Sequence, residues 1–249
     1  GSRDRAVAIV DFKNIKNKKS VAKEILSQNK SVKTVIDKGS PRKGEFRLRD
    51  YKIIAGDKNT KVIHKESGCR FLLNPRRVYF SPREGTERMR IAKLVKPDET
   101  VMIFFAGAGS FAIVMGKHTE AKKIVGIEIN PKACEYFRKN IEINKLQNVE
   151  VMQGDVGRVA AKYYDKCDRV IMPLPETSIE FLDEAIKCLG KSGTCHLYCF
   201  LKDDGIRKMK ARIKKRIDPY SRDVKFTNIQ RVLPYGPGIY KYRIDFVIS

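Results

Sequence analysis

Two rhythms of apolar and polar residues meet near residue 96 of the chain. Beyond residue 100, short apolar runs near 101–106, 123–129, 149–153, 168–172 and 193–201 alternate with helically spaced stretches near 110–118, 131–145, 157–164, 176–190 and 203–216. Apolar runs of that length fit strands buried on both faces. Their alternation with helices predicts a parallel sheet covered on each side. The last two runs, near 224–233 and 239–248, are separated only by Pro234-Tyr235-Gly236-Pro237-Gly238. So short a turn joins antiparallel neighbours, which predicts a hairpin at one edge of the sheet.

Residues 6–83 read as a small α+β module. Ala6 to Phe12 and Val32 to Asp37 are strand-like around a helical stretch from Ser20 to Gln28. Tyr51 to Ala55, Lys61 to Lys65 and Arg70 to Leu73 follow, separated by turn-forming Gly-Asp-Lys-Asn and Glu-Ser-Gly, and read as a meander. Pro82 precedes a helical stretch from Thr86 to Val95, and Lys96-Pro97-Asp98-Glu99 ends it. Two domains are expected: a small α+β domain with a connector helix over 1–95, and an α/β domain over 96–249.

Charge adds a partner to this picture. The 249 residues carry 52 Lys and Arg against 29 Asp and Glu, a net charge of +23, and residues 1–93 alone are net +15. Such a field concentrates polyanions, and nucleic acid is the leading candidate. Seven of the ten residues from Arg207 to Arg216 are basic, with Ile206, Met209, Ile213 and Ile217 at helical spacing, so one side should pack and the other face solvent or phosphate. The longest uncharged stretch, Val101 to Gly116, falls short of a membrane span, and the Gly1-Ser2-Arg3 start has neither the apolar core nor the cleavage pattern of a signal peptide. A cytoplasmic monomer is the expectation. Six cysteines without a Cys-x-x-Cys pair fit buried thiols. On a strand Cys195 and Cys199 share a face while His196 points away, so no metal site is expected.

Candidate chemistry gathers at the ends of the first strands of the α/β domain. Phe105-Ala106-Gly107-Ala108-Gly109-Ser110 closes one strand and opens a helix, where glycines let backbone approach a ligand closely. It is neither a Gly-x-Gly-x-x-Gly nor a Walker sequence. Glu128 ends the second strand, about where a carboxylate can accept both ribose hydroxyls, and Asp155 follows the third, placed to receive an adenine amino group. Three such groups on successive strands, with five strand–helix units and a terminal hairpin, point to S-adenosylmethionine and a class I (Rossmann-like) methyltransferase fold.

Val78-Tyr79-Phe80-Ser81-Pro82-Arg83, Thr86-Glu87-Arg88, the Phe105–Phe111 loop, Asn130-Pro131, Gly154-Asp155 and the run Asp168 to Pro175 together resemble the archaeal and eukaryotic tRNA (guanine-37-N1)-methyltransferases, over roughly residues 45–249. The resemblance implies a catalytic domain joined to a small RNA-recognition domain that acts on the anticodon loop of tRNA. It implies Glu87 as the base for the guanine N1 proton and Arg47 as the donor on the O6 side. Arg83 would hold Glu87 or the cofactor carboxylate, and Tyr79 would line the pocket. Phe105, Gly107, Gly109, Glu128, Ile129, Asp155, Val156, Pro173 and Leu174 would surround the cofactor, with Arg47, Arg83, Pro173 and Tyr235 toward the substrate. Two positions depart from the family: Ile103 replaces an acid, and Pro173 replaces the amide of an Asn-Leu-Pro motif. The second resembles archaeal members that also methylate C7 of the tricyclic guanosine formed later at position 37. A relative that transfers the aminocarboxypropyl group of the same cofactor is the nearest alternative, and a methyltransferase of another RNA is a further one. Many family members carry an extra N-terminal domain that nothing before Ala6 encodes, which predicts weaker dependence on whole-tRNA shape.

Overall fold

A computed structural model describes residues 1–2, 4–40 and 48–249. Strand β1 (Ala6–Val10), helix α1 (Lys18–Gln28) and strand β2 (Val32–Asp37) form a parallel strand–helix–strand unit, and β3 (Lys52–Gly56) adds to β2 antiparallel. Asn17 starts α1 by accepting the amide of Ser20 at 3.2 Å. Phe12, Ala22 and Val35 form the small core of this unit.

The predicted meander breaks after β3. Among the described strands, β4 (Val62–Glu66) and β5 (Cys69–Leu73) form a two-stranded sheet with each other, while β3 belongs to the first sheet. The cause lies in the connection. Arg5 bonds the Asp57 carboxylate at 2.8 Å and the carbonyls of Asn59 and Lys61, and Thr34 Oγ1 donates to the Asp57 carbonyl at 3.0 Å. These bonds hold residues 57–61 against the first unit and turn the chain away from β3.

After the hairpin come α2 (Gly85–Ala92), β6 (Thr100–Ile103), α3 (Ser110–His118), β7 (Lys123–Glu128), α4 (Pro131–Asn144), β8 (Val149–Gln153), α5 (Val156–Val159), β9 (Cys167–Met172), α6 (Leu182–Cys188), β10 (Leu189–Leu201), α7 (Gly205–Ile217), β11 (Val224–Gly236) and β12 (Ile239–Ile248). The large sheet runs β11-β12-β10-β9-β6-β7-β8. Its first five strands in chain order are parallel, and β12 enters antiparallel between β10 and β11. This is a Rossmann-like class I methyltransferase architecture with the expected hairpin at the edge. Several helices are shorter than their spacing suggests: α2 ends at Ala92, and α5 and α6 are each joined to a 3₁₀ turn, over Ala160–Tyr163 and Ser178–Phe181.

The boundary expected after residue 95 crosses continuous packing. Val62, Phe71 and Leu73 of the hairpin, with Ile91 and Ala92 of α2, share one apolar cluster with Ile103, Phe111 and Ile113. Arg88 of α2 grips Glu66 of β4 through two hydrogen bonds of 2.8 and 2.7 Å. From the other side, Asn140 of α4 accepts the Leu72 amide at 2.7 Å, and Asn144 accepts the Arg70 amide at 2.8 Å. The hairpin and α2 are thus built into the core of the large-sheet unit. On the opposite face of the sheet, Met209, Ile213 and Ile217 of α7 pack into the second large cluster, as the spacing predicts.

Among the described residues no helix is long and apolar enough to cross a membrane.

Candidate active site

The chain runs from β6 to β7 and β8 on one side, then returns to β9 on the other side of β6. Ligands bind at such a switch point, beyond the carboxyl ends of the strands. Phe105, Gly107 and Gly109 follow β6, Glu128 and Ile129 end β7, Asp155 and Val156 follow β8, and Pro173 and Leu174 follow β9. All of these expected cofactor residues therefore stand on one edge.

Two glycines shape the turn. Gly107 and Gly109 take φ of 58° and 84°, the left-handed region that side chains disfavour. At Gly109 a Cβ would stand 2.1 Å from the Phe137 ring of α4, so the helix packs directly on the turn. Asn140, on the same helix, donates to the Ala108 carbonyl at 2.9 Å.

Glu128 joins the loops. Its Oε2 accepts the Gly107 amide at 2.7 Å and its Oε1 the Asn130 amide at 2.8 Å, while its carbonyl accepts the Gly154 amide at 2.9 Å. Each carboxylate oxygen keeps a further lone-pair position for a hydroxyl donor. Burial pushes its pKa above the ordinary carboxylate range, against the lowering effect of the backbone donors. Asp155 is half-buried at the start of α5, and its side chain makes no capping bond to that helix. Beyond β9, Ser178 Oγ bonds the carbonyls of Met172 at 2.8 Å and Leu174 at 2.6 Å, fixing the Pro173-Leu174-Pro175 turn by its backbone. Ile103 lies fully inside the core.

Glu87 lies in the first turn of α2 and is only 5% exposed. Its Oε1 accepts from Tyr198 Oη at 2.7 Å and Arg243 Nη1 at 3.0 Å; its Oε2 accepts from Arg90 Nε at 3.0 Å and from Arg90 Nη2. Arg83, expected to hold Glu87 or the cofactor carboxylate, is exposed on the preceding turn, and it is Arg90 and Arg243 that engage Glu87. Arg243 does so because successive inward-facing positions of β12 come to lie beneath α2. Tyr79 is exposed, and its hydroxyl reaches Glu84 at 3.4 Å. It also lines an apolar cavity of about 180 Å³ against Val7, Ile9 and Val62. Arg47 lies outside the described residues.

Sequence reasoning missed the polar seam under α2. Lys241 pairs with Glu84 at 2.9 Å, and Arg243 Nη2 lies 2.7 Å from Asp245, a charge contact rather than a directed hydrogen bond. Asp245 faces His196 Nδ1 at 2.6 Å, His196 Nε2 faces Arg169 at 2.7 Å, and Arg169 forks onto Glu99 at 2.7 and 2.8 Å. Period-two placement of Lys241, Arg243 and Asp245 on one strand face was the available signal. The six cysteines are buried, and Cys195 and Cys199 lie in the cluster on the other side of the sheet from the partners of His196. Among the described residues no group of three or more His, Cys, Asp or Glu is placed to hold a metal ion.

Tyr235 is 60% exposed near the β11–β12 turn and stacks on Phe200 of β10, with ring centroids 3.8 Å apart and planes inclined by 26°. The Phe200 amide donates to the Pro175 carbonyl at 3.3 Å, so this stack adjoins the loop after β9.

The model of the TRM5/TYW2 methyltransferase domain matches residues 62–226. The tRNA (guanine(37)-N(1))-methyltransferase Trm5b of Pyrococcus abyssi is 37% identical over 93% of this chain and 68% of its own length. A crystal structure of Trm5b from that organism covers 99% of this chain and 73% of its own, with 34% identity and a TM-score of 0.87. A solved complex of aTrm5 with tRNALeu covers 98% of this chain and 70% of its own, at 35% identity and a TM-score of 0.86. A tRNA(Phe) (4-demethylwyosine(37)-C(7)) aminocarboxypropyltransferase of Methanocaldococcus jannaschii is 33% identical over 81% of this chain and 80% of its own length. The chain spans between 61% and 68% of the length of two Trm5b relatives. With that match across two thirds of its residues and a sheet order to go with it, the chain belongs to the TRM5/TYW2 methyltransferase domain family.

Proposed function

We propose that this protein transfers a methyl group from S-adenosylmethionine to N1 of guanosine 37 in the anticodon loop of tRNA. The observation that carries this reading is the meeting of two features at one sheet edge. These are an adenosine-type cradle at Gly107, Glu128 and Asp155, and the Tyr79–Arg90 segment whose Glu87 is held as a buried carboxylate.

The residues fit the cofactor. Glu128 has acceptor positions left for two ribose hydroxyls, the half-buried Asp155 side chain is not used as a helix cap, and the left-handed Gly107 leaves backbone open to a ligand. When bound, S-adenosylmethionine supplies an electrophilic methyl on its sulfonium. With the cofactor bound, Glu87 would take the N1 proton during methyl transfer and Arg47 would offset charge on O6. Arg83, exposed beside this segment, serves the RNA or the cofactor carboxylate rather than Glu87. Tyr235, braced by Phe200, offers a rigid aromatic face to a loop nucleobase, an interaction RNA-binding surfaces commonly use. Exposed lysines before 94, Lys13, Lys16, Lys19 and Lys58 among them, and the exposed side of α7 are the surfaces that face tRNA phosphates in this reading.

A second activity, methylation at C7 of the tricyclic intermediate, is favoured by Pro173. A proline offers no side-chain hydrogen bond with which to reject an enlarged base. Tricyclic tRNA that takes up no methyl group would remove this second activity.

The main reading is tested by methyl transfer to a tRNA transcript with guanosine 37, beside a transcript with adenosine there and beside Glu87→Gln. 1-Methylguanosine should form only with guanosine 37, and its rate should fall at least about a hundredfold in the variant. Equal labelling of both transcripts would overturn it.

A further inference from the structure

Glu87 presents two unlike oxygens. Oε1 faces the sheet, where Tyr198 of β10 and Arg243 of β12 both donate to it, and both donors are fully buried. Oε2 has Arg90 as its partner, and Arg90 is 27% exposed on the same helix. A carboxylate with four accepted hydrogen bonds has no lone-pair position left for a substrate proton. One donor must leave first, and only Arg90 can leave into solvent.

We infer that Tyr198 and Arg243 are positioning residues that fix Glu87 through Oε1, and that Oε2 takes the substrate proton once Arg90 swings away. This rests on the reading of Glu87 as the base. The donors to Oε1 are themselves fixed. Lys241 sits 4.8 Å from the centre of the Tyr198 ring, Phe111 of α3 packs against that ring at 6.0 Å, and Asp245 stands behind Arg243. Glu84 engages Lys241, and Arg88 turns to Glu66 on β4, so neither competes for Glu87. The α3 contribution to this region is apolar. Burial and the neighbouring carboxylate keep the Tyr198 phenol protonated well past its ordinary range, so it remains a donor at every working pH.

The test measures kcat, KM for tRNA, cofactor affinity and the folded fraction for the wild type, Tyr198→Phe, Arg243→Lys, Arg243→Met and Glu87→Gln. Tyr198→Phe keeps the ring and deletes only the donor to Oε1. Its kcat should fall about tenfold with KM and cofactor affinity unchanged. Arg243→Lys keeps a cation and should lose less than Arg243→Met. An inactive Glu87→Gln beside a Tyr198→Phe enzyme of wild-type kcat would overturn the positioning role alone. So would a Tyr198→Phe loss that follows KM or the folded fraction rather than kcat. A fully active Glu87→Gln would overturn the base assignment and this inference with it.

Discussion

At the scale of single residues, the site is a set of carboxylates sorted by surroundings. Glu128 is buried yet held by two loop amides, so its charge both organises the turn and remains available to hydroxyls. Glu128→Gln removes one charged acceptor, and we expect cofactor affinity to fall about tenfold, measured by titration calorimetry. An unchanged affinity would exclude Glu128 from the adenosine cradle. His196 is locked in one tautomer. A guanidinium can only donate, so Nε2 accepts from Arg169 and Nδ1 carries the hydrogen toward Asp245. Burial holds its pKa below the ordinary 6.5, with Asp245 opposing and Arg169 reinforcing. The unfolded chain therefore binds a proton that the folded one does not as pH falls below about 6.5. Folding stability should decline there by at most about 1.4 kcal/mol per pH unit from this residue, and be level above it. Urea unfolding from about pH 5 to 8 should show a steeper decline in the wild type than in His196→Gln; equal slopes would contradict it. The glycine turn, Glu128 and Asp155 were legible in the sequence because each is a short pattern at a strand end. The partners of Glu87 on the sheet were not, since Tyr198 and Arg243 lie 111 and 156 residues away along the chain.

At the scale of elements, α4 does more than cover the sheet. Asn140 is fully buried and bonds β5 through Leu72 and the glycine turn through Ala108, tying the hairpin to the cofactor edge. Asn140→Ala leaves those backbone groups without a partner, which costs about 2 kcal/mol and roughly 4–8 °C in Tm. Cofactor affinity should fall with it, because the turn loses its brace. A variant as stable as the wild type in a thermal melt would show that the bonds are replaceable. The strands and the terminal hairpin were readable from apolar runs and from the Pro-Gly turn. The separation of β3 from β4 was not, because Arg5 sets it from more than fifty residues upstream. Helix lengths also escaped, since the 3₁₀ turns beside α5 and α6 keep a helix-like spacing of apolar residues.

At the scale of the whole molecule, the sheet separates two tasks. One face carries α2 and its charged seam beside Glu87, and the other carries α6 and α7 over an apolar cluster. Arg212 and Arg216 of α7 are paired with Glu180 and Asp183, whereas Lys208, Lys214 and Lys215 are exposed. If these lysines meet phosphates, the logarithm of tRNA affinity should fall linearly with the logarithm of salt concentration. Replacing all three by alanine should flatten that slope by roughly 0.7–0.9 for each phosphate that is no longer neutralised. An unchanged slope would place the RNA on the N-terminal face alone. The overall charge was plain in the composition, but which basic residues of α7 are paired depends on Glu180 and Asp183, just before α6 and at its start, meeting α7.

The family holds methyl and aminocarboxypropyl transferases on one scaffold, so the group transferred is the central question. The most direct measurement uses S-adenosylmethionine labelled in the methyl group and, in a parallel reaction, in the aminocarboxypropyl chain, with guanosine-37 tRNA and nucleoside mass analysis. Methyl label alone should enter position 37, as 1-methylguanosine. Incorporation of the aminocarboxypropyl label, or methylation at any other nucleoside, would contradict the proposed reaction.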